Sequence, residues 1–348
     1  MIEPIVLNEP LQLQQGGEVM PGWRVERVLG EGGQACVYKV VHGSGATKIE
    51  RALKVLPFDQ AHAELVEHEL EAMVKLQDHP NVVRIEDFSL VRSPQSVQLF
   101  GLLKNYEENL LIRMELLTPL DAYWKSAPQP EEVVEMAIQI LDALILMQQH
   151  KMIHRDIKPG NIMVTPGKVF KLSDYGLARV VEEGRAKSIL GTPLFMAPEI
   201  LTMQGYDQTV DYYALGMTMY VMLNNGEGPS MQVKNVVAPL MFQMAPANSS
   251  SITPIDGLDR GLFDILCKAC ALNPRDRYQT AEEFQKALKA WRSGGAQAQP
   301  QAYQRVNLGN TKTSMDAYRQ QLEQSMNNRR SMVNETLDNL LSPKNRKL

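Results

Sequence analysis

Two different spacings of apolar residues divide this chain. From Trp23 to Leu116 they fall in short runs with partial alternation, which predicts strands over 23–29, 36–41, 51–56, 82–91 and 110–116. A turn region at Gly43-Ser44-Gly45 separates the second and third runs, and 101–109 reads as a loop. Leu65, Leu70, Met73 and Leu76 sit at helical spacing, so a helix is expected over 61–76. After Pro119 the pattern is mostly helical, with helices expected over 131–149, 208–223, 231–244, 258–272 and 281–291. Five strands and one helix make a small lobe, and the later helices make a larger one.

The two ends lack this regularity. Residues 1–22 open polar, rich in Gln and Gly, and read as a loose extension. Residues 293–311 begin Ser-Gly-Gly-Ala-Gln and have a flexible linker's composition. Over 312–348 the apolar residues Met315, Tyr318, Leu322, Met326, Val333, Leu337, Leu340 and Leu341 fall mostly three or four apart. That is an amphipathic helical tail, able either to dock on its own catalytic domain or to bind a partner.

Composition narrows the function classes. The chain has 348 residues, 44% hydrophobic, so a sizeable core can be buried. A net charge of −4 lacks the basic surplus of nucleic-acid binders. No basic–apolar–small leader opens the chain and the longest apolar stretch is broken by Glu135, Gln139 and Asp142, so neither secretion nor a membrane span is expected. Three cysteines, Cys36, Cys267 and Cys270, fit a reducing, cytoplasmic setting. Cys267 and Cys270 form a CxxC on an expected helix. With no second pair to complete four zinc ligands, they read as two small thiols packing a core.

The chemistry-bearing residues appear in a telling order. Leu29-Gly30-Glu31-Gly32-Gly33-Gln34-Ala35-Cys36-Val37 lies between two expected strands. Glycines let backbone N–H groups approach phosphate oxygens with no Cβ in the way. A dinucleotide fingerprint would need strand then helix, and no GxxxxGK[ST] is present. Lys54 sits in an apolar strand, where an unpaired ammonium is costly, and Glu69 on the next helix is its natural partner. His154-Arg155-Asp156-Ile157-Lys158-Pro159-Gly160-Asn161 then places a carboxylate, an ammonium and a carboxamide within six positions. Asp174-Tyr175-Gly176 adds a second carboxylate. Together they suit accepting a hydroxyl proton, neutralising a moving phosphoryl group and holding a divalent metal, which points to phosphoryl transfer from ATP.

From 23 to 291 this series resembles the eukaryotic-type (Hanks-type) Ser/Thr protein kinases. The resemblance implies an α+β bilobal protein kinase fold, with a small five-stranded antiparallel β lobe carrying one helix (23–116) and a larger helical lobe (117–292). It implies ATP and Mg²⁺, with Mn²⁺ as the alternative metal, and protein acceptors bearing Ser or Thr. By the same resemblance Lys54 and Glu69 pair to hold phosphates, and Val37, Ala52 and Met163 sandwich adenine beneath the glycine loop. Met114 is the gatekeeper, and Glu115 and Leu117 supply hinge contacts. Asp156 orients the acceptor hydroxyl and takes its proton, Lys158 steadies the phosphoryl group, and Asn161 and Asp174 hold metal. Ala197-Pro198-Glu199, Asp211 and Arg277 match structural positions of the family.

Ala35, Gln34, Tyr175, Phe195 and Tyr278 depart from the usual pattern without removing a charged catalytic group. Gly160 stands where many arginine-directed members carry a glutamate. Ser188 occupies the region of an activating phosphosite, with Arg155 and Arg179 as its phosphate pocket; the alternative is an ordinary loop serine. Two other readings of the chain are a kinase-like scaffold without turnover and a small-molecule phosphotransferase.

Overall fold

The computed structural model describes residues 4–7, 9, 11–31, 35–58, 71, 74–94, 106–125, 128–174, 179–180, 194–201, 205–229 and 250–294. Its N-terminal half is a sheet of β1 (Ile5–Val6), β2 (Glu18–Met20), β3 (Trp23–Glu31), β4 (Cys36–His42), β5 (Ile49–Phe58), β6 (Ile85–Pro94) and β7 (Tyr106–Glu115). The order is β1-β6-β7-β5-β4-β3-β2. Five antiparallel strands match the expectation, but the sheet has seven. Residues of the presumed loose extension add an edge strand at each side, and β1 pairs with β6 in parallel. Elements of two and three residues are too short to show a two-residue period. They are held by apolar side chains instead: Val19 is buried, and Leu7, Leu11 and Leu13 pack against a core that includes Trp23, Val40 and Leu53.

Two strands are shifted from their expected positions. The sixth begins at Ile85 rather than 82 because Val82 bridges to Leu172 and the Val83 N–H donates to the Leu172 carbonyl at 2.9 Å. An apolar run does not disclose its pairing partner. The seventh begins at Tyr106, inside the expected loop. Register across the sheet matters for the site. Lys54 is opposite Val37 on one side and Ile112 on the other, and Ala52 is opposite Met114. Of the helix expected over 61–76, residues 71 and 74–76 are helical and the rest lies outside the described residues, as does the helix expected over 231–244.

The second half packs α1 (Leu120–Tyr123), α2 (Pro130–Gln149), α3 (Pro198–Leu201), α4 (Thr209–Leu223), α5 (Arg260–Ala269) and α6 (Ala281–Arg292). Short strands β8 (Thr118–Pro119), β9 (Met152–Ile153), β10 (Ile162–Val164), β11 (Phe170–Leu172) and β12 (Arg179–Val180) carry the loops between them. Pro130 opens α2 at a position whose N–H is unbonded in any helix, and Gln129 with Glu132 closes a reciprocal cap. One stripe of α2, including Val133, Met136, Ile140 and Leu144, enters the core, and each such side chain contributes about 1.5–3 kcal/mol. The α4 helix is buried almost all round. It approaches α5 so closely that a Cβ on Gly216 would lie 2.7 Å from the Ala269 Cβ. Cys267 and Cys270 are buried core thiols, as their lack of partner ligands suggested. Burial pushes the Cys267 thiol up to about 12, with Asp264 adding to it, and pushes Cys270 higher still.

Glu199, at the start of α3, and Arg277 form a bidentate pair at 2.6 and 2.8 Å. The guanidinium also donates to the Ala271 carbonyl at 2.8 Å and lies 4.8 Å from the Tyr213 ring centre. This pins α3 to the helical core. Among the described residues no helix is long and apolar enough to cross a membrane.

Candidate active site

The sheet and the helical half enclose a cleft of about 270 Å³. Leu29, Gly30, Val37, Ala52 and Lys54 come from β3, β4 and β5, while Asn161, Met163 and Asp174 come from the opposite side. Met114, Glu115 and Leu117 line the connecting edge. Apolar side chains above and below suit a flat heteroaromatic ring. Sequence reasoning missed Val83, Ile85, Ile112, Pro119, Gly160 and Ser173 in the lining. Ile112 could have been found, since it alternates with Met114 along β7. Glu31, Ala35 and Cys36 fall outside the lining, and Cys36 packs against the core on the sheet's other face. Gly32, Gly33, Gln34, Glu69 and Ser188 lie outside the described residues.

The connecting edge is fixed by Glu115. Its N–H donates to the Arg84 carbonyl at 3.1 Å, and its carboxylate accepts from the Arg84 N–H at 2.7 Å and the Lys171 ammonium at 2.6 Å. Three bonds on one residue hold the hinge between the halves in one conformation.

The loop from His154 to Asn161 is anchored from beneath. Both oxygens of buried Asp211 accept backbone N–H groups, from His154 at 2.7 Å and Arg155 at 2.8 Å. Burial pushes the Asp211 carboxyl above its usual range, against the opposing pull of His154 and of these N–H bonds. Arg155 has φ 72°, a left-handed conformation costing about 1–3 kcal/mol that persists only where surrounding bonds impose it. The guanidinium of Arg155 lies 5.5 Å from the Tyr206 ring centre. His154 Nδ1 accepts the Asp156 N–H at 3.3 Å, so Nε2 carries the proton and donates to the Ser173 carbonyl at 2.8 Å.

Asp156 is oriented by its neighbours. Its Oδ2 accepts from Lys158 Nζ at 2.7 Å and from Asn161 Nδ2 at 2.8 Å. Asn161 Nδ2 also donates to the Asp156 carbonyl at 2.8 Å. The amide nitrogen is therefore committed, and the amide oxygen is the atom with which Asn161 can ligate a cation. The Ser173 N–H and hydroxyl both donate to the Asn161 carbonyl at 2.9 Å, which sets Asp174 beside this loop.

Asp174 also has positive φ, 68°, and its Oδ1 accepts from the Lys54 ammonium. Burial pushes the Asp174 carboxyl up. The charge and hydrogen bond of Lys54, with His154 and Lys158 beyond, outweigh it and hold Asp174 below the usual carboxylate range. An ionised carboxylate and an amide oxygen make a hard, sparse donor set. Among the described residues there is no cluster of three or more His, Cys, Asp or Glu side chains. Such a set fits Mg²⁺, which is held by one or two protein oxygens together with substrate phosphates. Beyond Asp174 the backbone of β12 pairs with β9, Arg179 opposite Ile153.

Comparison with known proteins agrees with this geometry. Residues 23–288 match the protein kinase domain model. The chain is 30% identical over 276 residues to mitogen-activated protein kinase kinase kinase 1 of Arabidopsis thaliana, covering 77% of this chain and 42% of that protein. It is 30% identical over 299 residues to serine/threonine-protein kinase PknJ of Mycobacterium bovis, covering 80% and 47%. It is 31% identical over 289 residues to serine/threonine-protein kinase Pkn1 of Myxococcus xanthus, covering 77% and 38%. The chain thus spans less than half the length of these relatives. Sequence match and cleft geometry together place the chain in the eukaryotic-type Ser/Thr protein kinase family.

Proposed function

We propose that this protein transfers the γ-phosphoryl group of ATP to Ser or Thr hydroxyls of protein substrates. The observation that carries the reading is that Lys54, Asn161 and Asp174 line one cleft from its two sides, with Asp156, bonded to both Asn161 and Lys158, adjoining them. Adenine lies between Val37 and Ala52 above and Met163 below, against the edge at Glu115 and Leu117. Lys54 turns its ammonium to the phosphates, guided by the Asp174 carboxylate. Asn161 and Asp174 would hold Mg²⁺, which neutralises charge on the phosphate oxygens. Asp156 accepts a hydrogen bond from the acceptor hydroxyl, aligns its oxygen and takes its proton as the oxygen–phosphorus bond forms and the bond from the γ-phosphorus to the β–γ bridging oxygen breaks, releasing ADP. Lys158, bonded to Asp156, balances the negative charge gathering on the transferred group.

Protein rather than small-molecule acceptors are favoured by the anchored Glu199–Arg277 pair, which holds the segment where a peptide would lie. A count of three cysteines, too few for a disulfide framework, is in keeping with a cytoplasmic setting. Autophosphorylation at Ser188, received by Arg155 and Arg179, belongs to this reading on sequence position alone. The test is phosphate incorporation into generic Ser/Thr-bearing proteins with ATP and Mg²⁺, with phosphopeptide mapping of the enzyme itself. ATP binding without transfer to any acceptor would favour the scaffold reading.

A further inference from the structure

The segment 4–20 precedes the part of the chain that matches the protein kinase domain, yet it supplies both edge strands of the sheet. β1 lies at one edge, on β6, and β2 at the other, on β3. Six strand spacings of about 4.8 Å separate those edges by roughly 29 Å. The twelve steps from Val6 to Glu18 reach at most about 43 Å, so the segment crosses the sheet with little slack.

The crossing lies on the face away from the cleft, where Leu7, Leu11 and Leu13 pack. It closes in a tight turn. The Gly17 N–H donates to the Gln14 carbonyl at 2.9 Å. The Gly16 N–H donates to the Val25 carbonyl at 2.8 Å, and the Val25 N–H donates to the Gly17 carbonyl at 2.9 Å. Gly17 is buried, and a Cβ there would lie 2.5 Å from the Gln12 carbonyl oxygen, so the turn admits no side chain.

The core beneath this crossing is the back of the nucleotide cleft, because side chains alternate between the faces of a strand. Lys54 in the cleft lies between Leu53 and Val55 in that core, Val37 between Cys36 and Tyr38, and Ile112 beside Leu111. β3, gripped at Val25, ends with Leu29 and Gly30 in the cleft lining. Where the cleft face is left open for a ligand, these strands are fixed by packing from behind.

We propose that the segment 4–20 is a positioning strap for ATP. By closing the core behind the sheet it holds Leu29, Val37 and Lys54 at the spacing the nucleotide requires, with Leu11, Leu13 and Gly17 as positioning residues. This rests on the reading of the cleft as an ATP site, and adds to that site a part of the chain outside the kinase domain. The strap is built into the sheet, whereas Asp156 and Lys158 lie in the helical half. Its loss therefore acts on nucleotide affinity rather than on turnover at saturating ATP.

The test uses the full chain with ATP and Mg²⁺. The wild type is compared with Gly17→Val, which blocks the turn, and with the double change Leu11→Ser and Leu13→Ser, which removes the apolar grip. Titration calorimetry gives a Kd for ATP that does not depend on the fraction folded. Both variants should raise it about tenfold, a part of the 10²-fold that a 1 Å misplacement can cost. KM for ATP should rise alike, with kcat at saturating ATP within about twofold of the wild type. Leu11→Met, which keeps an apolar side chain of similar volume, should bind ATP as the wild type does. So should Gly216→Ala, whose crowded Cβ disturbs the helical half instead. A Kd unchanged in both strap variants, or raised as much in Gly216→Ala, would overturn the inference while leaving the kinase reading in place. A wild-type chain that binds no ATP would instead overturn the ATP-site reading and this inference with it.

Discussion

Lys54 and Asp174, 120 residues apart in the chain, form an ion pair across the cleft. The pair joins the sheet to the catalytic loop and explains the electrostatics of both partners. An ammonium on an apolar strand is stable because a carboxylate faces it. That carboxylate stays ionised despite burial because the ammonium faces it. Sequence reasoning gave Lys54 a different partner, Glu69, which lies outside the described residues.

Removing the ammonium should therefore act on Asp174 as well as on phosphate binding. In Lys54→Met, burial is left opposed only by the more distant His154 and Lys158, so the Asp174 carboxyl should titrate higher than in the wild type. The sign follows from the lowered wild-type value. The favourable effect of the Asp174 charge is present above the ordinary carboxylate value and is lost as pH falls through the lower, folded one. Carbon-detected NMR of the labelled carboxyl would show the shift. Phosphoryl transfer should fall about 10²–10³-fold, the cost of losing one preorganised charge. An unchanged Asp174 titration would contradict the pairing.

The Glu199–Arg277 pair makes a separate, structural prediction. Both side chains are buried, at 4% and 0% exposure, so removing one leaves the other charged and desolvated. Arg277→Ala should cost about 3–5 kcal/mol in denaturant unfolding. Joint replacement by apolar residues should cost less than the single change.

Close contact between α4 and α5 leaves no room at Gly216, where an added Cβ would also come within 3.0 Å of Cys270 Sγ. Gly216→Ala should destabilise by about 1–3 kcal/mol although alanine is the better helix former. A variant as stable as the wild type would show that the two helices part without cost.

Thiol chemistry tests the interior assignment of the CxxC pair. Burial raises both Cys267 and Cys270, so neither is a thiolate near neutral pH. Alkylation of the native protein at pH 8 should label Cys36, which is partly exposed, well before the other two. Denaturation should make all three react. Zinc binding or rapid native labelling at Cys267 would contradict the assignment.

Much of the site was legible in the sequence because its chemistry is local. Asp156, Lys158 and Asn161 lie within one loop, and their mutual hydrogen bonds need no distant partner. The strand carrying Lys54 was legible from its apolar run. Long-range relations were less legible. Nothing in the order of residues tells that Glu115 is bonded by Lys171, or that Val82 meets Leu172 rather than a sheet neighbour. The edge strands at Ile5–Val6 and Glu18–Met20 escaped notice because they are recruited by tertiary contact, not by their own pattern. Ser173 was missed because its two bonds to Asn161 depend on β11 running beside the loop.

The central claim is that Asp156 and Asp174 act together on ATP in one cleft. Its most direct test is initial-rate phosphate transfer from ATP to a protein acceptor with Mg²⁺, comparing the wild-type chain with Asp156→Asn and Asp174→Ala. Transfer by the wild type should drop about 10²–10⁴-fold in Asp156→Asn with nucleotide binding retained, and should be lost with Mg²⁺-dependent nucleotide binding in Asp174→Ala. Wild-type transfer that survives both substitutions, or a wild-type chain that binds ATP and transfers nothing, would contradict it.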